Sequence, residues 1–294
     1  MNFKNILGID MGGTAIKYGV YNTNGESIPD TEGKIEANRN WSFEEIVNTV
    51  EDLKNQCSKS VSIDGIGLSV PGVVDKHTGM ITFGGALEKG LHKKDLRQAV
   101  EEKLNIPTSI ENDANCAALA EFWLGSGKGC ENIVVITVGT GLGGGMILNK
   151  KLHQGSHSFA SEFGLLFYQP TNSEADDWAY VSTSRLIKRA AQVDSTIENG
   201  KDFFAALDIN SKVKEVYQDW IEKMARGIYT VATVVDPDKV LLGGGISKQQ
   251  RIYSDIKNEL DKITSFPYYF TVESCHFFND AGKIGAVYNW IASR

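Results

Sequence analysis

Proline is scarce, 6 residues in 294, and no Pro-, Ser- or charge-rich stretch divides the chain. That excludes separate modules on a flexible linker and predicts two tightly packed halves sharing a cleft. Cysteine is sparse too: Cys57, Cys116, Cys130 and Cys275 lie far apart with no C-x-x-C pair, which excludes a zinc ribbon and a disulfide framework and reads as scattered reduced thiols. Basic charge is in deficit, with 30 Lys+Arg against 37 Asp+Glu and a net charge of −7. No nucleic-acid partner is expected, because neutralising phosphate backbones needs clustered cations. A small anion remains possible, since backbone N–H groups can hold one without net positive charge.

Long apolar runs are missing as well. The uncharged stretch from Asn132 to Asn149 is interrupted by Thr137, Thr140 and Gly139, Gly141, Gly143, Gly144 and Gly145, so it reads as strand, loop, strand and not as a membrane span. No h-region or cleavage site precedes Asp10, so no signal peptide is expected and the protein is read as cytoplasmic, without a membrane partner. What is present is ordinary core material: 41% apolar residues, which excludes general disorder.

Along the chain, Ile6–Asp10 reads as a buried strand, Met11–Thr14 as a turn and Ala15–Tyr21 as the returning strand of a hairpin. Ser42 with Glu45 has capping-box spacing, and Phe43, Ile46, Val47, Val50 and Leu53 form the stripe of the helix it opens. A strand at Ile63–Val70, a helix around Lys94–Leu104, a strand at Thr108–Ile110 and a helix from Ala114 follow. The order then starts again: strand Ile133–Val138, glycine turn Gly139–Gly145, strand Met146–Leu148. Later Val240–Leu242 runs through Gly243-Gly244-Gly245 into a helix expected near Ser247, and Asp280–Ile291 has helical spacing. The pattern predicts an α/β fold built twice, with βββαβα-like halves.

Asp10-Met11-Gly12-Gly13-Thr14 is the first candidate site. A glycine pair lets backbone N–H groups approach a phosphate, Thr14 adds a hydroxyl, and Asp10 could hold Mg²⁺ directly or through water. The alternative is a tight hairpin that merely needs glycine. Gly139-Thr140-Gly141-Leu142-Gly143-Gly144 is a second such turn; it lacks the Gly-Lys-Ser/Thr of a P-loop and is followed by a strand, unlike a dinucleotide fingerprint. Together the two turns suit a polyphosphate, with Lys17 as an assisting cation or a plain strand-face residue. Gly243-Gly244-Gly245 offers a flat wall for an adenosine. Glu111-Asn112-Asp113 stands at a strand end where ligands of α/β folds sit; Asp113 could be a general base and Asn112 a partner of sugar hydroxyls, or either could only cap the helix. Glu162, near Phe159, Phe163, Phe167 and Tyr168, pairs a carboxylate with aromatic faces, as sugar sites do, or lies on a half-buried face. His153 and His157 have metal-ligand spacing, but Gly155 and Ser156 between them point to a loop and no third ligand stands out.

The combination of Asp10-x-Gly12-Gly13-Thr14, Pro71-Gly72-x-x-Asp75, Glu111-Asn112-Asp113-Ala114-Asn115, Gly139-Thr140-Gly141-x-Gly143-Gly144 and Gly243-Gly244-Gly245 resembles the ROK family of sugar kinases. The resemblance implies the actin-like, hexokinase-type (ribonuclease H-like) duplicated fold: two α/β domains flanking a cleft, here 1–115 with 281–294, and 116–280. It implies ATP and Mg²⁺ as cofactors, Asp113 as general base toward a hexose 6-hydroxyl, and Glu111, Asn112 and Glu162 as holders of sugar hydroxyls. Asp10, Gly12, Gly13, Thr14, Lys17, Thr140, Gly141, Gly143 and Gly144 would serve the phosphates, and Gly243–Gly245 the adenosine. Some members are repressors with a preceding DNA-binding helix-turn-helix; a first strand starting by Ile6 favours a kinase. Family members are commonly dimers or tetramers, so a homo-oligomer is expected.

Two departures bear on the substrate. Leu165 stands where many members have a histidine, and Pro170–Trp178 has no Cys, so neither the structural zinc nor that histidine contact is expected; Phe167, Tyr168 and Trp178 would hold the loop by packing. Gly84-Gly85-Ala86, the zinc-less Glu162-Phe163-Gly164 and the ending Asn279–Tyr288 are similar to bacterial β-glucoside kinases. Small residues at Gly84 and Gly85 would leave space for a second sugar ring. The competing expectations are a kinase for a monosaccharide such as glucose, mannose or N-acetylmannosamine, and a non-catalytic sugar-sensing regulator.

Overall fold

The computed structural model describes residues 5–85, 87–166, 177–263 and 268–294. The chain forms two compact units: Met1–Lys128 with Leu152–Ala160 and Asn279–Arg294, and Gly129–Lys151 with Ser161–Phe278. In the first, β1 (Asn5–Met11) and β2 (Ala15–Asn22) form the expected hairpin, extended by β3 (Gly33–Glu36). Helix α1 (Phe43–Cys57) opens with the Ser42/Glu45 capping box, both of whose hydrogen bonds are formed. There follow β4 (Gly65–Val70), the small pair β5 (Val73–Val74) and β6 (Ile81–Phe83), α2 (Glu88–Leu91), α3 (Leu96–Leu104), β7 (Thr108–Asn112) and α4 (Asp113–Trp123). The main sheet runs β3-β2-β1-β4-β7, with β1, β4 and β7 parallel.

The second unit repeats that order. Strands β8 (Ile133–Val138), β9 (Leu142–Leu148) and β10 (Lys151–Leu152) precede helices α5 (Thr183–Val193), α6 (Gly200–Ala206) and α7 (Ser211–Val235). Next come β11 (Lys239–Gly243), α8 (Arg251–Ile263) and β12 (Thr271–Ser274), and the sheet runs β10-β9-β8-β11-β12. One sheet order used twice is the duplication that the sequence pattern predicts. Two details differ from expectation. β9 starts at Leu142, so Gly143, Gly144 and Gly145 are ladder residues opposite Thr137, Ile136 and Val135 and not part of the turn. The helix expected near Ser247 starts at Arg251, after a 3₁₀ turn over Gly245–Lys248.

The last helix, α9 (Ala281–Ala292), returns to the first unit and packs on β1, β4, β7 and α4. Alternation explains how. Leu7, Ile9 and Met11 of β1 join the core with Ile46, Val50 and Leu53 of α1, so Gly8 and Asp10 face the other way. There Gly8, Gly65 and Gly67 leave a groove into which α9 sinks: a Cβ on Gly67 would collide with the Ala286 carbonyl oxygen. Helices α4 and α9 meet equally closely, since a Cβ on Gly285 would overlap the Cys116 carbonyl oxygen. This packing keeps all of α4 in the first unit, so the division lies after Lys128 and not at residue 115, and the segment Leu152–Ala160 joins that unit too. No helix among the described residues is long and apolar enough to cross a membrane.

Because the obstacle at Gly285 is backbone and cannot rotate away, Gly285→Ala is expected to force α4 and α9 apart. The loss should be at least ~1–3 kcal/mol, read as a lower urea midpoint at unchanged slope. An unchanged midpoint would contradict this packing.

Candidate active site

Register builds one row across the first sheet. Lys17 pairs with Asp10, Asp10 with Ser69 and Ser69 with Glu111, so four polar side chains stand side by side at the strand ends. Ser69 Oγ donates to Asp10 Oδ1 at 2.8 Å, and Lys17 Nζ lies 3.8 Å from Asp10 Oδ2. Lys17 also donates to the Asn279 carbonyl oxygen at 2.6 Å, next to the start of α9. Gly282 brings that first turn against the Asp10 carboxylate, which a Cβ at this position would displace. Burial raises the Asp10 carboxyl above the usual range; the Ser69 hydrogen bond and Lys17 oppose this. Among the described residues no group of three or more His, Cys, Asp or Glu could cage a metal. A lone carboxylate fits a magnesium ion held mainly by water and phosphate oxygens.

Beside Asp10 the hairpin turn is tight. Gly12 N donates to Ala15 O at 3.0 Å, and Ala37 N to Thr14 O at 3.1 Å. Arg39 Nε donates to the Gly13 carbonyl at 3.0 Å, a guanidinium at the turn that sequence reading missed because it lies in an unpatterned loop.

At the far end of the row, Glu111 is 3% exposed and both its oxygens are engaged. Oε1 accepts from Asn112 N at 2.8 Å and Asn115 Nδ2 at 2.9 Å; Oε2 accepts from Gln154 Nε2 at 2.7 Å. Burial pushes its carboxyl up to about 7, with those three hydrogen bonds opposing. Glu111, to which the family resemblance gives sugar hydroxyls, thus has both oxygens taken up by the chain's own N–H groups. Asn112 caps α4: its Oδ1 accepts from Ala114 N and Asn115 N, while Nδ2 donates to Gly72 O at 2.9 Å. Its side-chain oxygen is thus spent on the helix, the structural alternative weighed above. Asp113 is exposed at the first position of α4, and its Oδ1 accepts from Ala114 N at 2.8 Å and Asn112 Nδ2 at 3.2 Å.

Gly72 and Gly85 lock together. Gly72 has φ +97°, and a Cβ there would meet Gly84 O at 2.6 Å; at Gly85, φ +102°, a Cβ would meet Pro71 O at 2.6 Å. The expected room at Gly85 is thus filled by backbone, whereas Gly84 faces open space. Ala86, like Phe167, Tyr168 and Pro170 to Asp176 of the substituted zinc loop, lies outside the described residues.

In the second unit the turn contracts to Gly139–Gly141, with Gly139 N donating to Gly141 O at 3.0 Å. The start of α5 docks on it: Ser184 Oγ donates to Thr140 O at 2.5 Å and Thr183 Oγ1 to Val138 O at 3.0 Å. Gly143, Thr137 and Gly243 share one row of the second sheet, Thr137 standing where the first repeat has Asp10. Gly144 lies under the Phe163 ring, which packs edge-on to buried Trp178 at 6.1 Å. Phe163 and Trp178 are thus core residues, and Gly144 serves packing. Gly244 has φ +91° beneath the Val138 carbonyl, which no side chain could share, and Gly245 faces open space. Next to Gly245 lies a cavity of about 580 Å³ lined by Thr183, Leu186, Phe203, Phe204 and Ile246, a size that suits a nucleoside. Glu162 is half-buried at the head of a 3₁₀ turn over Phe163–Leu165, and burial raises its carboxyl. Leu165 is half-exposed, and His153 and His157 are exposed on a loop.

Raising Glu111 from 4.5 to about 7 makes the folded chain hold a proton that the unfolded chain releases. Its contribution to stability is complete below pH ~4.5 and lost as pH rises to ~7. Glu111→Gln should escape that loss. Its stability relative to the parent should climb through this window toward about 3 kcal/mol and level off above it, as read by urea titrations at several pH values. A flat difference would refute the account of this carboxyl.

The family model described as "ROK family" matches residues 6–293. The chain is 31% identical to the beta-glucoside kinase of Listeria monocytogenes, over 97% of each chain. It is 30% identical to the glucokinase of Halalkalibacterium halodurans, over 82% of this chain and 80% of that one. A crystal structure of a ROK family protein from Streptococcus pneumoniae in complex with sucrose is similar with a TM-score of 0.88 and 26% identity, over 98% of each chain.

Proposed function

Because the chain belongs to the ROK family and has its actin-like, hexokinase-type fold, we propose that it transfers the γ-phosphoryl group of ATP to the 6-hydroxyl of a glucose unit, preferably in a β-glucoside such as cellobiose. As an ATP-dependent carbohydrate kinase it must hold polyphosphate, orient an alcohol and accept its proton. The observation that carries the reading is Asp113: an exposed carboxylate fixed by Ala114 N and Asn112 at the end of the sheet whose polar row holds Asp10.

Each part then has a task. The backbone N–H groups of Gly13 and Thr14 and of Thr140 and Gly141 take phosphate oxygens, with Lys17 and Arg39 adding positive charge beside the first turn. Asp10 would hold Mg²⁺ through water, and the ion would offset the charge that builds on the transferred group. The cavity beside Gly245 takes the nucleoside. Phosphoryl transfer has a loose transition state, so positioning does most of the work. Asp113 orients the attacking hydroxyl and receives its proton as the new P–O bond forms. Glu162, half-buried at the start of its turn, accepts from a sugar hydroxyl. A β-glucoside preference is supported by the beta-glucoside kinase relatives and by the open space at Gly84.

An ADP-release assay over cellobiose, glucose, mannose and N-acetylmannosamine tests the substrate. Cellobiose should give the highest kcat/KM, and a higher value for glucose would favour the monosaccharide reading. Asp113→Asn should keep its unfolding temperature and sugar binding while kcat falls at least ~10²-fold. Turnover near that of the parent would remove Asp113 from the mechanism.

A further inference from the structure

The segment Leu152–Ala160 belongs to the first unit although its chain neighbours on both sides belong to the second. Among the described residues, three hydrogen bonds seat it on the rest of that unit. Lys76 Nζ donates to Gly155 O at 2.5 Å, Lys76 N to Ser158 Oγ at 2.9 Å, and Gln154 Nε2 to Glu111 Oε2 at 2.7 Å. Two of them go to an exposed loop lysine; the third reaches a buried carboxylate and is the one shielded from water. The segment also carries backbone strain, because Ser158 has φ +57° and Ser161, just beyond it, φ +71°. Such conformations persist in non-glycine residues only where surrounding contacts impose them.

We infer that Glu111 is a positioning residue, whose carboxylate ties the 152–160 segment to the strand end that carries Asp113, so that the seating of this segment and the placement of Asp113 are set together. The geometry is direct. One oxygen of Glu111 takes Gln154 of the segment; the other takes Asn112 N and Asn115 Nδ2, which flank Asp113 in sequence. Asn112 in turn caps α4 through Ala114 N and Asn115 N and touches Asp113 Oδ1. A shift of Gln154 is thereby passed to Asp113 through a chain of three hydrogen bonds. The segment leads directly into Ser161-Glu162, so the substrate affected is the sugar and not the nucleotide. An amide is the fitting partner for a carboxyl that titrates near neutrality. It donates to the ionised form and, turned over, accepts from the protonated one.

The inference rests on the kinase reading for the role of Asp113, and its test separates the two. Gln154→Leu should raise the sugar KM about tenfold or more, the usual weight of a hydrogen bond to a charged group, with the ATP KM within about twofold. Hydrogen–deuterium exchange of the Asn112, Ala114 and Asn115 amides should quicken at least about tenfold in the same variant. The exchange double variant, Glu111→Gln with Gln154→Glu, restores an amide–carboxyl pair with roles reversed and should recover most of both losses. Unchanged exchange at 112–115 in Gln154→Leu, sugar and ATP constants moving together, or no recovery in the double variant would overturn the tie. A parent chain that releases no ADP with any sugar sinks the kinase reading alone, and the amide exchange then decides the tie by itself.

Discussion

The structure turns on a row of four polar side chains, Lys17, Asp10, Ser69 and Glu111, laid across the first sheet by strand register. Two carboxyls in one row, each pushed up by burial, would destabilise a fold that gave them no partners. Here Asp10 has the Ser69 hydroxyl and the first turn of α9, and Glu111 has three N–H donors. The glycines at positions 8, 65 and 67 contribute to this, because the missing side chains let α9 come close enough to set its first turn against Asp10. Packing and chemistry are thus one constraint: the groove that seats the helix also sets the environment of the candidate magnesium-side carboxylate.

Duplication gives the two units one sheet order but not one chemistry. Where the first repeat has Asp10, the second has Thr137, flanked in its row by Gly143 and Gly243. The second row is small and uncharged, and its turn is buttressed by the start of α5, where the first has the Arg39 guanidinium. The first unit thus gathers a carboxylate and cations at its strand ends, whereas the second gathers mainly backbone and hydroxyl groups.

Much of this was legible in the residues. Hairpin, capping box, repeat and glycine turns each follow from local rules, and the order of five motifs gave the family resemblance. Gly143 and Gly144 were misplaced into the turn because a glycine run carries no period, and only pairing with Thr137 and Ile136 shows them to be strand. The burial of Glu111 is not visible from a strand end; its cover comes from Asn115, one helical turn away, and Gln154, 43 positions along the chain. Gly85 likewise suggested space, yet its missing side chain makes room for the Pro71 carbonyl. Such errors share a cause: a small residue can mark an opening or a close approach, and only three-dimensional neighbours distinguish them.

The place of α9 also bears on how the molecule comes into being. Every other element of the first unit precedes it in the order of synthesis, yet it closes the groove over Gly8, Gly65 and Gly67. While the second unit is emerging from the ribosome, the opening sheet must wait with one face bare. Its glycine-lined surface offers little for stray apolar segments to grip, which suits a half-built sheet that must stay unclaimed until its own last helix arrives.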